Sequence, residues 1–311
     1  MTQLSIVTTL YKSEPYVQEF YDRTIKTLKK IEVSDYEFVF VDDGSPDNSL
    51  KIAVDLHKKN SKVNVIQLSR NFGHHKAIMT GLSYAKGDLV FLIDSDLEEE
   101  PELLEKFWTE FHRKENADTD VLYGVQKTRK GGWFERWSGA LFYKFFNWLS
   151  GTNIPKNTLI AKLMKKEFKE ALVSHKDKAV FLGGLVANTG FVQKHILCHK
   201  SSKSLTTYSF RIKLLQSMNS IISFSSKPLR YIFYSGFLVF LFSILWSLEI
   251  ILKKIFFKIP IAGWSSIMIA ILSLGGLTLS SLGLIGIYIS KIFDEVKERP
   301  YTVIKFIWDK E

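Results

Sequence analysis

Asp94 and Asp96 are separated by one serine and directly follow an apolar run at residues 89–93. Such a run is typical of a buried parallel strand. Two carboxylates spaced i and i+2 beyond the end of a strand can both reach one hard divalent cation. Open α/β sheets bind their ligands in the crevice outside the carboxyl ends of the strands. The pair is weak evidence by itself, but its position predicts a metal site facing a phosphorylated ligand.

Polar side chains also follow the three strands predicted before this one. They are Tyr11 and Glu14 after the first strand, Asp42, Asp43, Gly44 and Ser45 after the second, and Ser69, Arg70, Asn71, Phe72 and Gly73 after the third. Each has a local alternative, since Asp47 or Asn48 can cap a helix and Asn71 can hold a turn. Four consecutive strands with polar ends at one edge of a sheet nevertheless indicate a converging site.

The elements that must position these residues alternate along the first 125 residues. Apolar runs and proline or polar helix starts predict strands at 4–9, 36–41, 63–68, 89–93 and 121–125, and helices at 15–30, 49–59, 74–85 and 101–113. This βαβα order predicts an α/β fold with a mostly parallel sheet and helices on both faces.

The C-terminal third contains two long apolar segments, residues 231–252 and 262–289, of which only the first carries a charged residue. Each reaches the roughly 20 residues that a helix needs to cross a bilayer. They predict a two-helix transmembrane hairpin with both ends on one side. Two buried core helices are the alternative, but nothing else in the chain could cover them. Gly276, Ser280 and Gly283 line one face of the second segment and would allow close helix contact within the hairpin or in a homo-oligomer.

The charge pattern bears on location and partners. The N-terminus lacks the basic and long apolar regions of a signal peptide, so we expect residues 1–225 in the cytoplasm and a multi-pass protein of the inner (cytoplasmic) membrane. Basic residues around the hairpin favour this orientation only modestly, since three lysines lie in the opposite loop. The formal charge of +10 indicates an anionic partner, and lipid head groups and phosphorylated substrates explain it better than nucleic acid.

Two further segments, residues 131–149 and 208–224, place aromatic or aliphatic residues at helical spacing with basic residues between them. This pattern is typical of helices in a membrane interface, although helices packed on the sheet are the alternative. We therefore predict a core at 1–130, an acceptor-side region with interfacial helices at 131–226, and the hairpin with a cytoplasmic tail at 227–311. The single cysteine, Cys198, excludes an intrachain disulfide.

Several short segments carry a resemblance to a known family: 41–45, 69–74, Gly81-Leu82, Gly87-Asp88 and 94–97. They resemble family 2 glycosyltransferases, and more narrowly the polyprenyl-phosphate group that contains dolichol-phosphate mannose synthases and bactoprenol glucosyl transferases. The resemblance implies a GT-A fold, a nucleotide-sugar donor and a polyprenyl phosphate acceptor met at the membrane surface.

The resemblance also assigns roles to residues. It implies nucleotide-sugar binding by Tyr11, Glu14, Asp42, Asp43, Arg70 and Asp94. Mg²⁺ or Mn²⁺ would be held by Asp94 and Asp96, with Glu98, where the family often has Gln, as a third ligand or a bystander.

The implied reaction displaces a nucleoside diphosphate from the anomeric carbon with inversion, and a divalent ion stabilises the charge that grows on the leaving group. A lipid phosphate is already anionic, so it needs a cationic seat more than a strong general base. Arg129, Arg136 and Lys144 are candidates for that seat, although solvated or lipid-facing charges explain each of them equally well. Asp94, Asp96, Arg129 and Arg136 form the predicted catalytic set.

The sequence departs from the family where the sugar or acceptor would be recognised. The family's Gly-Asp-Phe-Arg-Leu-Met corresponds to residues 159–164, which lack the acidic residue and carry Lys162 in place of Arg. We interpret this as a changed sugar or acceptor. Two alternatives stay open. One is a lipid-diphosphate-linked oligosaccharide acceptor, with Glu99 or Glu100 as general base, and the other is a non-catalytic scaffold on a degenerate transferase fold.

Overall fold

The computed structural model describes residues 3–126, 157–175, 177, 180, 182–198, 225–257 and 263–309. The strands are β1 (Leu4–Leu10), β2 (Tyr36–Asp42), β3 (Val63–Leu68), β4 (Leu89–Leu92), β5 (Val121–Gln126), β6 (Thr158–Lys165), β7 (Gln193–Cys198) and β8 (Ile304–Trp308). The helices, numbered in chain order, are α1 (Val17–Lys30), α2 (Ser49–Lys59), α3 (His74–Tyr84), α4 (Leu103–Phe111), α5 (Lys166–Ser174), α6 (Leu182–Asn188), α7 (Lys227–Phe257) and α8 (Trp264–Val296).

The strands form one sheet in the order β7-β5-β6-β4-β1-β2-β3-β8. Its centre is parallel, because β1 pairs in parallel with both β2 and β4, and β2 pairs in parallel with β3. From β1 the chain builds outward through β2 and β3 and then crosses to β4 on the other side of β1. Such a reversal of strand order opens a crevice at the carboxyl ends of the two strands that flank it. The predicted α/β class with a mostly parallel sheet is confirmed.

Helices cover both faces of this sheet, as predicted. The ring centroids of Phe20 in α1 and Phe40 in β2 lie 6.2 Å apart. On the other face, a Cβ at Gly81 in α3 would lie 2.9 Å from Cγ2 of Val41. Consecutive strand residues point to opposite faces, so the contacts of Phe40 and Val41 show a helix on each side. Double coverage explains why every residue of β1 is buried.

The strands β6, β7 and β8 were not anticipated from the sequence, whereas β5 was predicted at 121–125. β6 pairs antiparallel with β4, which places Lys162 beside Leu92. β5 pairs antiparallel with β6 and in parallel with β7. β8, within the predicted cytoplasmic tail, pairs antiparallel with β3.

The two apolar segments form the long helices α7 and α8, and two stretches within them, Lys227–Trp246 and Leu274–Val296, are long and apolar enough to cross a membrane. The large apolar side chains described along both helices are mostly exposed. The chain divides into two compact units, one with the sheet, including the residues after position 298, and one with these helices. The predicted interfacial helices at 131–149 and 208–224 lie outside the described residues, and the predicted domain boundaries stay predictions.

Candidate active site

The loop after β1 is tied to the start of α2 by two carboxylates. Glu14 accepts hydrogen bonds from the backbone N–H of Asn48 at 3.0 Å and from its Nδ2 at 2.9 Å, and these bonds lower the pKa of Glu14. Asp47 Oδ1 accepts from the Ser45 and Ser49 hydroxyls at 2.5 Å each, and Oδ2 accepts from the backbone N–H of Glu14 at 3.0 Å. Burial raises the pKa of Asp47, but these hydrogen bonds together outweigh it and lower the pKa to about 2. The two loops therefore form one cross-linked rim, with Tyr11 exposed at its edge.

Asp43, at the end of β2, holds the loop that follows β3. Its carboxylate accepts hydrogen bonds from the backbone N–H of Phe72 at 2.7 Å and of Gly73 at 3.0 Å. Burial raises the pKa of Asp43. The adjacent Gly44 has φ +63°, and a Cβ there would lie 2.6 Å from the carbonyl carbon of Arg70. Only glycine permits both this left-handed backbone and this close approach, so residues 42–44 and 69–73 pack as one surface.

Asp42 is as buried as Asp43, at 2% exposure, but its environment is less favourable to a charge. Its Oδ1 accepts from the backbone N–H of Ser45 at 3.2 Å. Burial, with the charge of Asp43 adding to it, raises the pKa of Asp42 to about 6. A buried carboxylate with a raised pKa, lying in a crevice, is a frequent feature of functional sites. Arg70 lies nearby with its guanidinium carbon 4.6 Å from the ring centroid of Phe72.

The Asp94-Ser95-Asp96 segment is anchored by its central serine. The buried Ser95 hydroxyl donates to the carbonyl of Thr9 at 2.8 Å and lies 3.0 Å from the Ser13 hydroxyl. These contacts join the end of β4 to the end of β1 at the reversal of strand order. With Ser95 directed inward, the flanking Asp94 and Asp96 are only partly buried. The local sequence thus presents two carboxylates at the crevice.

The two aspartates differ in their partners. Asp96 Oδ1 accepts from the backbone N–H of Glu98 at 2.9 Å, and Asp94 Oδ1 lies 3.3 Å from His74 Nε2. The Nδ1 atom of the same histidine lies 3.1 Å from the Thr9 hydroxyl. His74 begins α3 and was not singled out from the sequence. Its position after Gly73, inside the segment that carries the resemblance, is the signal that could have identified it.

The donor set of Asp94 and Asp96 fits Mg²⁺ or Mn²⁺. Mg²⁺ is usually bound by one or two protein carboxylates together with substrate phosphates and water. Within the described parts of the chain, no three His, Cys, Asp or Glu side chains are gathered as a metal cluster. The role of Glu98 as a third ligand therefore stays a prediction.

Lys162 and Glu99 form a buried polar pair beside the aspartates. Lys162 is 3% exposed, and its Nζ donates to the carbonyls of Leu159 at 2.9 Å and Ile160 at 3.3 Å. Burial lowers the pKa of Lys162 to about 8, although Glu99 and Asp94 favour its charge. The Glu99 oxygens accept from the backbone N–H of Ile160 at 3.0 Å and of Ala161 at 2.7 Å. Glu99 thus fastens β6 to the segment after β4.

The structure brings most of the predicted site residues to one edge of the sheet. Tyr11 and Glu14 follow β1, Asp42 and Asp43 end β2, Arg70 follows β3, and Asp94, Asp96 and Glu98 follow β4. Arg129, Arg136 and Lys144 lie outside the described residues. Burial, a raised pKa and paired carboxylates together make this edge suited to a ligand that carries phosphate and a metal ion.

Comparisons with known proteins show the family to which the chain belongs. The family model for Glycosyl transferase family 2 matches residues 5–172. A protein of Mycobacterium tuberculosis (strain CDC 1551 / Oshkosh), named as a glycosyltransferase, is 46% identical over 99% of this chain and 89% of its own length. The SfII prophage-derived bactoprenol glucosyl transferase of Shigella flexneri is 29% identical over 97% of both chains.

Among solved structures, mannosyl-3-phosphoglycerate synthase from Rubrobacter xylanophilus aligns with a TM-score of 0.49 and 17% identity, over 76% of this chain and 75% of that one. The family match covers more than half of the present sequence, from β1 into α5. It includes every strand end that builds the site. The chain belongs to glycosyl transferase family 2.

Proposed function

We propose that this glycosyltransferase moves a sugar from a nucleotide-sugar to a polyprenyl phosphate, with inversion at the anomeric carbon, at the cytoplasmic face of a membrane. The observation that carries the proposal is the Asp94–Asp96 pair at the carboxyl end of β4, beside the reversal of strand order. A relative that matches nearly the whole length is named a bactoprenol glucosyl transferase, which supports a lipid acceptor of that class.

The long helices support a membrane location. Both are apolar over a span-length stretch, and their described apolar side chains are mostly exposed. The strand β7 precedes the two long helices in the chain and β8 follows them, and both strands belong to the same sheet. Two crossings return a chain to the side that it left, so a two-span hairpin is compatible with this connection.

Donor binding is assigned to the surface formed by residues 42–44 and 69–73. The ionised Asp42 can accept a hydrogen bond from the nucleoside, and Arg70 supplies a positive charge for the phosphates. Asp94 and Asp96 would hold Mg²⁺ or Mn²⁺ against the diphosphate. When bound, such an ion stabilises the negative charge that develops on the departing diphosphate. The bond from the anomeric carbon to the diphosphate oxygen breaks as a bond to the acceptor oxygen forms.

The acceptor assignment follows from what the site offers as a base. A hydroxyl acceptor needs a group that removes its proton, whereas a lipid phosphate is already anionic. Both oxygens of Glu99 accept backbone N–H groups of β6, and its side chain is 1% exposed. This engagement disfavours Glu99 as a general base, and with it the oligosaccharide acceptor that would need one. Glu100 is exposed and stays a weaker candidate for that role.

The test uses detergent-solubilised full-length protein with Mn²⁺ or Mg²⁺ and a panel of UDP- and GDP-sugars. Release of nucleoside diphosphate is measured with and without undecaprenyl phosphate. We expect release that depends on both the metal ion and the lipid phosphate, and a product lipid that carries the sugar.

Three other outcomes would contradict the proposal in distinguishable ways. Transfer only to a lipid-diphosphate-linked oligosaccharide would replace the acceptor. Release that is indifferent to lipid would remove the lipid acceptor altogether. Nucleotide binding without metal-dependent turnover on the whole panel would favour the non-catalytic scaffold.

A further inference from the structure

The C-terminal strand β8 continues the sheet next to β3. Trp308 lies opposite Val65, Ile307 opposite Ile66, and Ile304 opposite Leu68, with a register shift between Gln67 and Leu68. Trp308 also packs against the main hydrophobic core. A segment that the sequence presents as a tail is therefore an integral edge strand, and it begins only a few residues after the end of α8.

Two further contacts extend this pairing to the loop after β3. The backbone N–H of Ser69 donates to the carbonyl of Val303 at 2.9 Å. The hydroxyls of Thr80 and Thr302 lie 2.8 Å apart, which connects the tail to α3 as well. Ser69 is the first residue of the loop 69–73. The tail thus holds both the start of this loop and the helix that follows it.

The same loop forms one side of the proposed donor surface. Its Phe72 and Gly73 N–H groups bind Asp43, and the Arg70 backbone lies against Gly44. The loop is thus fastened to β2 at its far end and to the tail at its near end. If either set of contacts is lost, Arg70 and Asp43 are no longer held in place before the nucleotide binds. Ordering them on binding then costs free energy, which lowers nucleotide affinity.

We propose that residues 302–308 are a positioning element for donor binding, acting through the loop 69–73. This inference rests on the proposed function for the identity of the ligand. It adds that residues 302–308, which pair with β3 and contact α3, support the donor site through the loop 69–73. Detaching residues 302–308 from β3 and α3 therefore weakens nucleotide binding without altering any residue that contacts the nucleotide.

The experiment measures binding of UDP and of GDP, each with Mn²⁺, to full-length protein in detergent by calorimetry. A Thr80→Cys/Thr302→Cys variant replaces the hydroxyl contact with a disulfide. The disulfide can be reduced and reoxidised in the same folded protein. Wild type carried through the same redox cycle controls for the buried Cys198. A second variant lacks residues 301–311. Lys59→Ala is its control outside the proposed element, because Lys59 is exposed in the last turn of α2.

We expect the oxidised double-cysteine protein to bind as wild type does, and the reduced protein to bind several-fold more weakly. The truncated protein should bind about tenfold more weakly through loss of preorganisation, while Lys59→Ala should bind as wild type does. If wild type binds a nucleotide, equal affinities of the oxidised and reduced forms would overturn the inference, and so would wild-type affinity in a truncated protein that still unfolds cooperatively.

Hydrogen exchange at the amides of Phe72 and Gly73 separates this inference from the proposed function. Faster exchange in the reduced form than in the oxidised form supports the positioning role, whether or not wild type binds a nucleotide. Failure of wild type to bind either nucleotide would contradict the proposed function but not the positioning role. Unchanged exchange together with unchanged affinity would refute the positioning role.

Discussion

The two ends of the same parallel strands use buried carboxylates in opposite ways. At the amino end, Glu37 is 6% exposed and accepts hydrogen bonds from the Ser5 hydroxyl at 2.6 Å, the Lys86 N–H at 2.6 Å and the Asn64 Nδ2 at 2.9 Å. Ser5 in turn accepts from the N–H of Gly87 at 2.8 Å. At the carboxyl end, Asp42 is just as buried but has a raised pKa.

This difference separates architecture from function. Glu37 receives donors from β1, β3 and the turn before β4, so its network joins three parts of the sheet at once. The donors for Asp42 come from its own loop, and burial still opposes its charge. Carboxylates at the amino end are expected to contribute to stability, and those at the carboxyl end to ligand binding at some cost in stability.

The largest expected effect is at the carboxyl end. Asp96→Asn should lower kcat by about 10³-fold, because it removes one of the two charges that would hold the metal ion on the diphosphate. The measurement is nucleoside diphosphate release at saturating donor. Its thermal midpoint should match wild type, since the Asn side-chain oxygen can still accept from the Glu98 N–H. Asp118→Asn, an exposed carboxylate just before β5, is the control, and near-normal turnover by Asp96→Asn would refute the metal assignment.

Removing the carboxylate at the amino end should lower stability and leave kcat unchanged, the opposite of what is expected for Asp96→Asn. Glu37→Ala leaves one buried donor and two partly buried donors without their acceptor and should lower the free energy of unfolding by about 2 kcal/mol. Denaturant unfolding measures this change, and Glu37→Gln, which keeps one acceptor oxygen, should lose less. The kcat of the folded fraction should stay at the wild-type value. A kcat loss as large as that of Asp96→Asn would abolish the distinction between the two ends.

A smaller effect is expected where β2 meets the loop after β3. Gly44→Ala would place a Cβ 2.6 Å from backbone atoms of Arg70 and Asn71, so the loop must move, and we expect nucleotide affinity to fall about tenfold. Gly190 is a matched control, because its φ is +74° but nothing lies within 4 Å of its Cβ position. Gly190→Ala should share the backbone strain and leave affinity intact. Equal affinities of the two variants would contradict a donor role for this surface.

The smallest effect concerns the pH dependence of Asp42. Its folded-state pKa, about 6, lies above the ordinary value of 3.8, so the folded state binds this proton more tightly than the unfolded state does. Asp42 therefore opposes folding fully above pH 6, and this opposition is relieved as the pH falls toward 4. Asp42→Asn should raise the thermal midpoint at pH 7.5 and change it little near pH 4. A gain of equal size at both pH values would contradict the raised pKa.

The same substitution tests the ligand role of Asp42. Nucleotide affinity in wild type should weaken as the pH falls below 6, because the ionised carboxylate is the form that accepts a hydrogen bond from the nucleoside. The difference between wild type and Asp42→Asn isolates this group, since the phosphates titrate alike in both measurements. Identical pH profiles for the two proteins would leave Asp42 without a role in binding.

Local patterns in the sequence were sufficient for the first half of the fold. The strands β1 to β4 and the helices α1 to α4 begin and end within two residues of their predicted limits. Parallel strands covered on both faces appear as continuous apolar runs, and helices appear as a period of 3.6, so each pattern identifies its own element. The convergence of Asp42, Asp43, Asp94 and Asp96 followed from the same reasoning, because the carboxyl ends of parallel strands meet at one edge.

Only the tertiary structure decided which distant segments complete the site. Nothing near Lys162 in the sequence indicates that it pairs beside Leu92, that Glu99 fastens β6, or that Val303 binds the Ser69 N–H. Such contacts depend on long-range strand register, for which a short segment carries no local signal. The sequence by itself determined the chemistry available at one edge of the sheet, and the tertiary structure decided which backbone holds it in place.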